Sequence, residues 1–434
     1  MASPTTTAPA SGHAPAHSAP TLREAFTQPV SVWAIAFAAT VSFMGIGLVD
    51  PILPAISHDL GASPTQAMLL FTSYLFITSI AMFFSSWVSS RLGVRTTLLI
   101  GLALIVVFAA LAAAGTSVDE IIGLRGGWGL GNALFISTAL AAIVGASAGH
   151  SGAAIMLYET ALGVGMAVGP LLGGLLGSWS WRAPFGGTAV LMAIGFIAIM
   201  ALLPRRAAKP APVSPWAAFR ALGDPALRTL AATAIFYNIA FFAMLAYSPF
   251  PLEAAAAAHG HDMGAMGIGG VFFGWGIALA LSSVIGAPIL TRRIGLIRTL
   301  VGALVGFTIV MLGLALAVGS VTAMIVLIVV GGLMQGILNT AMTETIMEAT
   351  ALPRGVASSA YSGVRFLGGA VSSAAAGPIA HALGAPMPYV VGAGALVVAT
   401  VLLIAGRRHL FRVTGRPHLT SEQEAEAITA GDEV

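Results

Sequence analysis

Residues 163–177 read GVGMAVGPLLGGLLG, and the only environment that can house this stretch decides the fold. It lies inside an apolar run from about Ala153 to Ser178, long enough to cross the roughly 30 Å hydrocarbon layer of a bilayer at about 1.5 Å per helical residue. Gly165, Gly169, Pro170, Gly173 and Gly174 fall in the pattern GxxxGPxxGG. In water that content would break a helix. In lipid the backbone finds no outside partner and stays helical, with Pro170 removing one donor and bending it locally. Glycines three and four apart share a face and let a second helix approach closely. The stretch predicts a bent, tightly packed membrane helix able to act as a hinge.

The whole chain has the composition such a helix needs. Its 434 residues are 57% hydrophobic and 8% charged, against about 25% charged in soluble domains, and the mean hydropathy is +0.94. There is no cysteine, so disulfides and thiol-held metals are excluded. A net charge of +3 is too small to suggest nucleic acid, and the arginines sit between apolar runs, where they orient membrane proteins. Arg outnumbers Lys eighteen to one, which with abundant Ala and Gly points to a GC-rich bacterial genome and hence a bacterial cytoplasmic membrane. Residues 1–28 are rich in Ala, Pro, Ser, Thr and His and read as a disordered cytoplasmic tail, with no apolar core before a cleavage site. The polar, acidic end, residues 409–434, reads as a second tail.

Twelve apolar runs reach spanning length, near 31–57, 66–90, 95–116, 119–146, 152–178, 184–203, 228–254, 264–291, 296–318, 320–349, 355–382 and 386–406. The polar segment 204–227 divides them into six-helix bundles over 29–203 and 228–408. With the N-terminus placed inside, sixteen of nineteen basic residues fall in inward segments, only Arg182 falls in an outward loop, and Arg125 and Arg365 lie within spans. That asymmetry places both termini in the cytoplasm. The halves resemble each other: Arg91-Leu-Gly-Val-Arg95 returns as Arg293-Ile-Gly-Leu-Ile-Arg298, and Gly129-Leu-Gly-Asn132 as Gly336-Ile-Leu-Asn339. Tandem repeats of this kind predict two bundles related by an axis along the membrane normal, with a site between them.

Ionisable residues inside spans are expensive and by default functional. Five stand out: Asp50, Arg125, Glu159, Glu344 and Arg365. Asp50 sits in Gly47-Leu-Val-Asp50-Pro51-Ile-Leu-Pro54, where two prolines loosen the last turns and open a route for water or substrate. Arg125 lies at a similar depth in span four, so the two form either a proton carrier and its electrostatic trigger or a static pair. Arg365 and Glu344 are placed to pair between neighbouring helices; either Glu159 or Glu344 is an alternative proton site. Span seven carries Tyr237, Asn238 and Phe241 at helical spacing, which serve as packing or as a pocket wall.

These motifs resemble one family. GVGMAVGPLLGG is similar to the antiporter motif of the fifth helix in the major facilitator superfamily, typical of proton-driven drug exporters of the DHA1 type. Arg125-Gly-Gly-Trp128-Gly129-Leu-Gly131-Asn132 resembles the fourth-helix RxxQGxG signature, whose arginine the family links to proton coupling, with Trp128 in place of Gln. GLVDPILP resembles the first-helix motif of drug exporters; its acid, four residues before a proline, matches a subgroup in which such an acid helps recognise cations. Ser90, Arg91, Gly93 and Arg95 fall on the GxLaDrxGrr loop motif, with Ser90 at the position of its acid and Ser86 at its first glycine. The family's charged inner gate is therefore altered here, and the basic loop acts as a gate or as an anchor at anionic headgroups. In a facilitator, spans one, four, seven and ten line the cavity. The resemblance thus places Phe43, Met44, Asn132, Phe135, Tyr237, Asn238, Phe241, Met334, Gln335, Asn339 and Met342 around it. Aromatic and Met walls with a few amides suit lipophilic, loosely specified ligands.

No GxxxxGK[ST] loop is present for ATP, no HExxH or nucleophile elbow for hydrolysis, and His259 and His261 with Asp262 read as solvated loop residues. The expectation is an all-α membrane protein with twelve transmembrane helices in two six-helix bundles, the major facilitator fold. It would export lipophilic small molecules against protons as a monomer in the lipid bilayer, with no cofactor, catalytic residue, metal or nucleic-acid partner. A dedicated exporter of a sugar, siderophore or other metabolite is the first rival, and a non-transporting membrane receptor the second.

Overall fold

The computed structural model describes residues 27–147, 151–204, 212–350 and 352–414. Among the described residues, twelve helices are long and apolar enough to cross a membrane. The first six are α1 (Val30–Asp59), α2 (Pro64–Leu92), α3 (Val94–Ala114), α4 (Val118–Gly145), α5 (Ser151–Gly177) and α6 (Ala183–Leu202). The second six are α7 (Pro225–Tyr247), α8 (Ala265–Ile294), α9 (Leu296–Ala317), α10 (Val321–Ala349), α11 (Arg354–Leu383) and α12 (Met387–Gly406). A one-turn helix, Ala217–Ala221, lies in the linker, whose residues 205–211 fall outside the described set together with the tails 1–26 and 415–434.

Local sequence sets the helix ends. Ser63 and Gln66 form a capping box that opens α2 behind Pro64, satisfying backbone donors that a helix start leaves bare. Asp224 caps α7 ahead of Pro225, accepting from the Leu227 N–H at 2.9 Å. The turns after α2 and α8 are made at Gly93 and Gly295, with φ of 83° and 86°, a region where a Cβ would clash and only glycine is at ease. The repeat read from Arg91–Arg95 and Arg293–Arg298 is thus a repeat of backbone geometry. Prolines break the regular ladder where they must. Val30–Gly47 gives way to a 3₁₀ turn at Asp50–Ile52 before Leu53–Asp59 resumes. The π-turns Ala243–Tyr247 and Ser282–Gly286 precede Pro249 and Pro288, whose missing N–H groups cannot continue the i→i−4 pattern.

Packing repeats with the sequence. In the first half α1 packs on α5, α6 and α4, while α4 also packs on α2 and α3; in the second half α7 packs on α11, α12 and α10, while α10 packs on α8 and α9. Shifting every helix number by six converts one set into the other. The halves meet through α2 against α11 and α5 against α8, which the same shift also exchanges. Large apolar side chains left exposed are frequent on α3, α6, α8, α9 and α12: Val107, Ile194, Ile197, Val284, Ile309 and Val401 among them. These helices present surface suited to acyl chains.

The stretch 163–177 packs as its glycines require. A Cβ on Gly165, Gly169 or Gly173 would run into the carbonyl oxygens of Thr40, Met44 and Leu48 on α1. A Cβ on Gly174 would meet Ala265 and Gly269 of α8. One face of α5 thus lies backbone-to-backbone on α1 within its own half, while the adjacent face lies on α8 of the other half. Pro170 sits inside an unbroken helix.

Candidate functional site

In the first half the polar residues of α1, α2 and α4 converge. Asp50 is fully buried in the 3₁₀ turn of α1, and its carboxylate lies beside Gly47, against which Pro170 of α5 is packed. Arg125, fully buried on α4, is held between two aromatic faces, 4.4 Å from the Tyr74 ring centroid and 4.5 Å from that of Trp128. Asp50 and Arg125 lie within electrostatic range, yet neither side chain makes a hydrogen bond among the described residues. The expected route for water to Asp50 is shut in this conformation: the prolines make the turn, but the packing of α1 on α5 closes over it.

Trp128 replaces the amide of the related motif with an aromatic face. It stacks on Arg125 from one side and meets Phe185 of α6 at 6.1 Å, and a Cβ on Gly45 of α1 would lie 3.0 Å from its ring. A cation over an aromatic face in a dry interior is worth about 2 kcal/mol, so the two rings help to hold Arg125, whose guanidinium has no hydrogen-bond partner among the described residues. Asn132, one turn past Trp128 on the same face of α4, accepts from the Ser42 hydroxyl and donates to the Tyr74 hydroxyl. Tyr74 therefore links the amide network to Arg125. Sequence reading passed over Tyr74 and Ser42; a phenol facing inward in an apolar span was the available signal for the first.

The second half builds a different cluster. Tyr237 of α7 lies 3.4 Å from Asn339 Oδ1 and 3.3 Å from the Tyr361 hydroxyl. Tyr361 in turn is hydrogen-bonded to Arg365 one turn on. The groups that answer Arg365 are these two tyrosines and not Glu344. Glu344 sits five residues from the end of α10 and Arg365 eleven into α11, a difference in depth of roughly 9 Å at 1.5 Å per residue; Glu344 is partly buried and has a partner of its own. Glu159 falls on α5, but its side chain lies outside the described residues.

The aromatic candidates divide between the halves. Phe43 meets Tyr158 edge-on at 6.1 Å. Phe241 lies 6.0 Å from Trp275 and 4.6 Å from Phe242, which reaches Phe71 of α2 across the seam at 6.4 Å. Met44, Asn238 and Met342 are buried, and Gln335 is buried with both amide atoms unpartnered. Met334 turns elsewhere, packing where a Cβ on Gly306 of α9 would stand, while Phe135 is buried with its backbone against Gly101 of α3.

At the arginine-bearing end the loop motif does structural work without an acid. Arg95 donates to the carbonyls of Leu203 and Met200 at 2.9 and 2.7 Å, capping α6, while Arg91 is exposed. Ser90 accepts from the Val213 N–H of the linker at 3.3 Å. The halves are joined here by hydroxyls: Ser86 reaches Ser359 at 2.6 Å and the Gly355 carbonyl at 2.9 Å, and Ser85 reaches Ser359 at 3.1 Å. Further along the same seam Ser79 donates to the Gly363 carbonyl at 2.7 Å. At the opposite end His58, in the last turn of α1, lies 3.9 Å from Glu253, following α7.

Two symmetric six-helix halves, joined chiefly along two pairs of helices and holding Asp50 and Arg125 in their interior without hydrogen-bond partners among the described residues, define a transporter of the alternating-access kind. The family model of the Major Facilitator Superfamily matches residues 35–373, and the chain belongs to that superfamily. It is 49% identical over 384 residues, covering 88% of this chain and 95% of the relative, to the multidrug efflux protein YfmO of Bacillus subtilis (strain 168). Among solved structures, the human organic anion transporter MFSD10 (TETRAN) superposes with a TM-score of 0.66 at 16% identity, over 86% of this chain and 99% of that one. At that identity the likeness speaks to the fold alone.

Proposed function

We propose that this chain exports lipophilic small molecules, drugs among them, in exchange for protons, as a monomer in a bacterial cytoplasmic membrane. The name of the half-identical relative supports multidrug efflux. The observation that carries proton coupling is the Asp50–Arg125 arrangement: two opposite charges buried in range of each other, neither hydrogen-bonded among the described residues, beside the glycine–proline helix that packs on α1 of its own half and α8 of the other. Twelve crossings bring both ends of the chain to the face that carries the arginine-rich loops, and that excess supports a cytoplasmic assignment for them.

In this mechanism Asp50 takes a proton from the opposite side when the cavity faces that way. Its charge no longer answers Arg125, and the balance between outward- and inward-facing states shifts. Substrate entering from the cytoplasm follows the release of the proton. The hydrogen-bonded row from Ser42 through Asn132 to Tyr74 ties α1, α4 and α2 to the same event, since Tyr74 lies on the face of Arg125.

Protein reconstituted in liposomes with an imposed pH gradient tests this: adding a transported dye should collapse the gradient in the wild type and leave it intact in Asp50→Asn. Full exchange in Asp50→Asn would reject Asp50 as carrier and move the role to Glu159 or Glu344.

A further inference from the structure

Arg125 has Asp50 within electrostatic range, so the first half carries a counter-charge for its buried cation. The second half does not do the same for Arg365. Among the described residues its charge is met by the hydroxyls of Tyr361 and Tyr237, not by a carboxylate, and its Nε is sealed from solvent with no hydrogen-bond partner. The hydroxyls form a row in which each group can donate to the next, from Arg365 to Tyr361, to Tyr237 at 3.3 Å and to Asn339 Oδ1 at 3.4 Å.

Next to this row are polar atoms with nothing to bond. Gln335 lies one turn from Asn339 on the same face of α10, about 6 Å along the axis, is 1% exposed, and leaves both amide atoms unpartnered. Trp275 of α8, packed against Gly332 of that helix, likewise leaves its indole N–H unpartnered at 1% exposure. Leaving an amide, an indole N–H and a guanidinium Nε without a partner away from water is unfavourable for each. A bound acceptor at the guanidinium relieves that cost where it is largest, since charge-assisted bonds to a guanidinium are the strongest of the set. The acceptor this chemistry asks for is an anion, and a planar carboxylate matches the guanidinium fork. The aromatic faces of Trp275 and Phe241, 6.0 Å apart, suit the apolar body attached to it.

We propose that Arg365, with Tyr361 and Gln335, receives the carboxylate of amphipathic organic acids while Trp275 and Phe241 face the apolar body, so that lipophilic anions and zwitterions are favoured cargo. The inference rests on the export reading and names a substrate class for it.

The test is equilibrium binding to the purified full-length chain in nanodiscs, without any gradient, using 1-pyrenebutyrate, its neutral amide and a pyrenyl trimethylammonium of similar length. The wild type should bind the carboxylate at least about tenfold more tightly than the amide. Arg365→Gln should reduce that preference below about twofold, and Arg365→Lys should keep a preference. Gln335→Leu should weaken the carboxylate and the amide alike, since its amide bonds to either head group. Chloride, titrated at constant ionic strength, is the competing source of negative charge: binding of chloride at Arg365 without any preference for pyrenebutyrate over its amide would overturn the assignment. So would equal affinities of acid and amide in the wild type, a result that needs no variant to fold. If the amide and the ammonium bind and the acid is not preferred, this inference fails and the export reading stands. If none of the three binds, the export reading fails.

Discussion

Replacing Ser359 by Ala removes one hydroxyl from the seam between α2 and α11 and should release the arginine-bearing end. That hydroxyl is reached by Ser86 at 2.6 Å and by Ser85 at 3.1 Å. Each neutral hydrogen bond contributes about 0.5–1.5 kcal/mol net. Ser86 keeps the Gly355 carbonyl at 2.9 Å and Ser85 keeps the Met82 carbonyl at 2.8 Å, so no donor is left stranded. The loss therefore sits toward the low end, about 1–2 kcal/mol for the pair. With a factor of ten for every 1.4 kcal/mol, the ratio of open to closed at this end should rise about 5- to 30-fold. The chain has no native cysteine, so spin labels can be attached directly at Leu92→Cys and Ile294→Cys, which are 45% and 44% exposed at the ends of α2 and α8. Electron–electron resonance distances between them should gain a longer population in Ser359→Ala. An unchanged distribution would refute the view that hydroxyls, in place of a charged gate, hold this end shut.

Two further outcomes follow from the packing. Gly173→Val drives a side chain into the Leu48 carbonyl and should cost about 3 kcal/mol or more, seen as loss of folded protein in detergent, whereas Gly123→Val, where nothing lies within 4 Å, should behave as wild type. The His58–Glu253 contact is an ion pair only with His58 protonated, at side-chain exposures of 76% and 31%, so it contributes about 0.2–1 kcal/mol at most. Labels at Trp179→Cys and Leu383→Cys, 76% and 64% exposed at that end, should stand only slightly further apart in Glu253→Gln than in the wild type, and a large separation would refute this weak role for the contact.

The number of spans, their two-fold repetition and the face-sharing glycines of 163–177 were all legible in the sequence. They rest on properties local to a segment: lipid demands about twenty apolar residues with a self-satisfied backbone, and glycines at i and i+4 share a face in any helix. The sequence also singled out Asp50, Arg125 and Arg365, because a charge in an apolar run needs no partner to be noticed. What each of those charges meets was settled only by tertiary packing. Arg125 lies between Tyr74 and Trp128, and Arg365 is answered by Tyr361 and Tyr237 while Glu344 stands too far along α10. Such pairings depend on how deeply each helix is set and how it is rotated against its neighbours, and those are fixed by the sum of many small contacts among helices far apart in the chain.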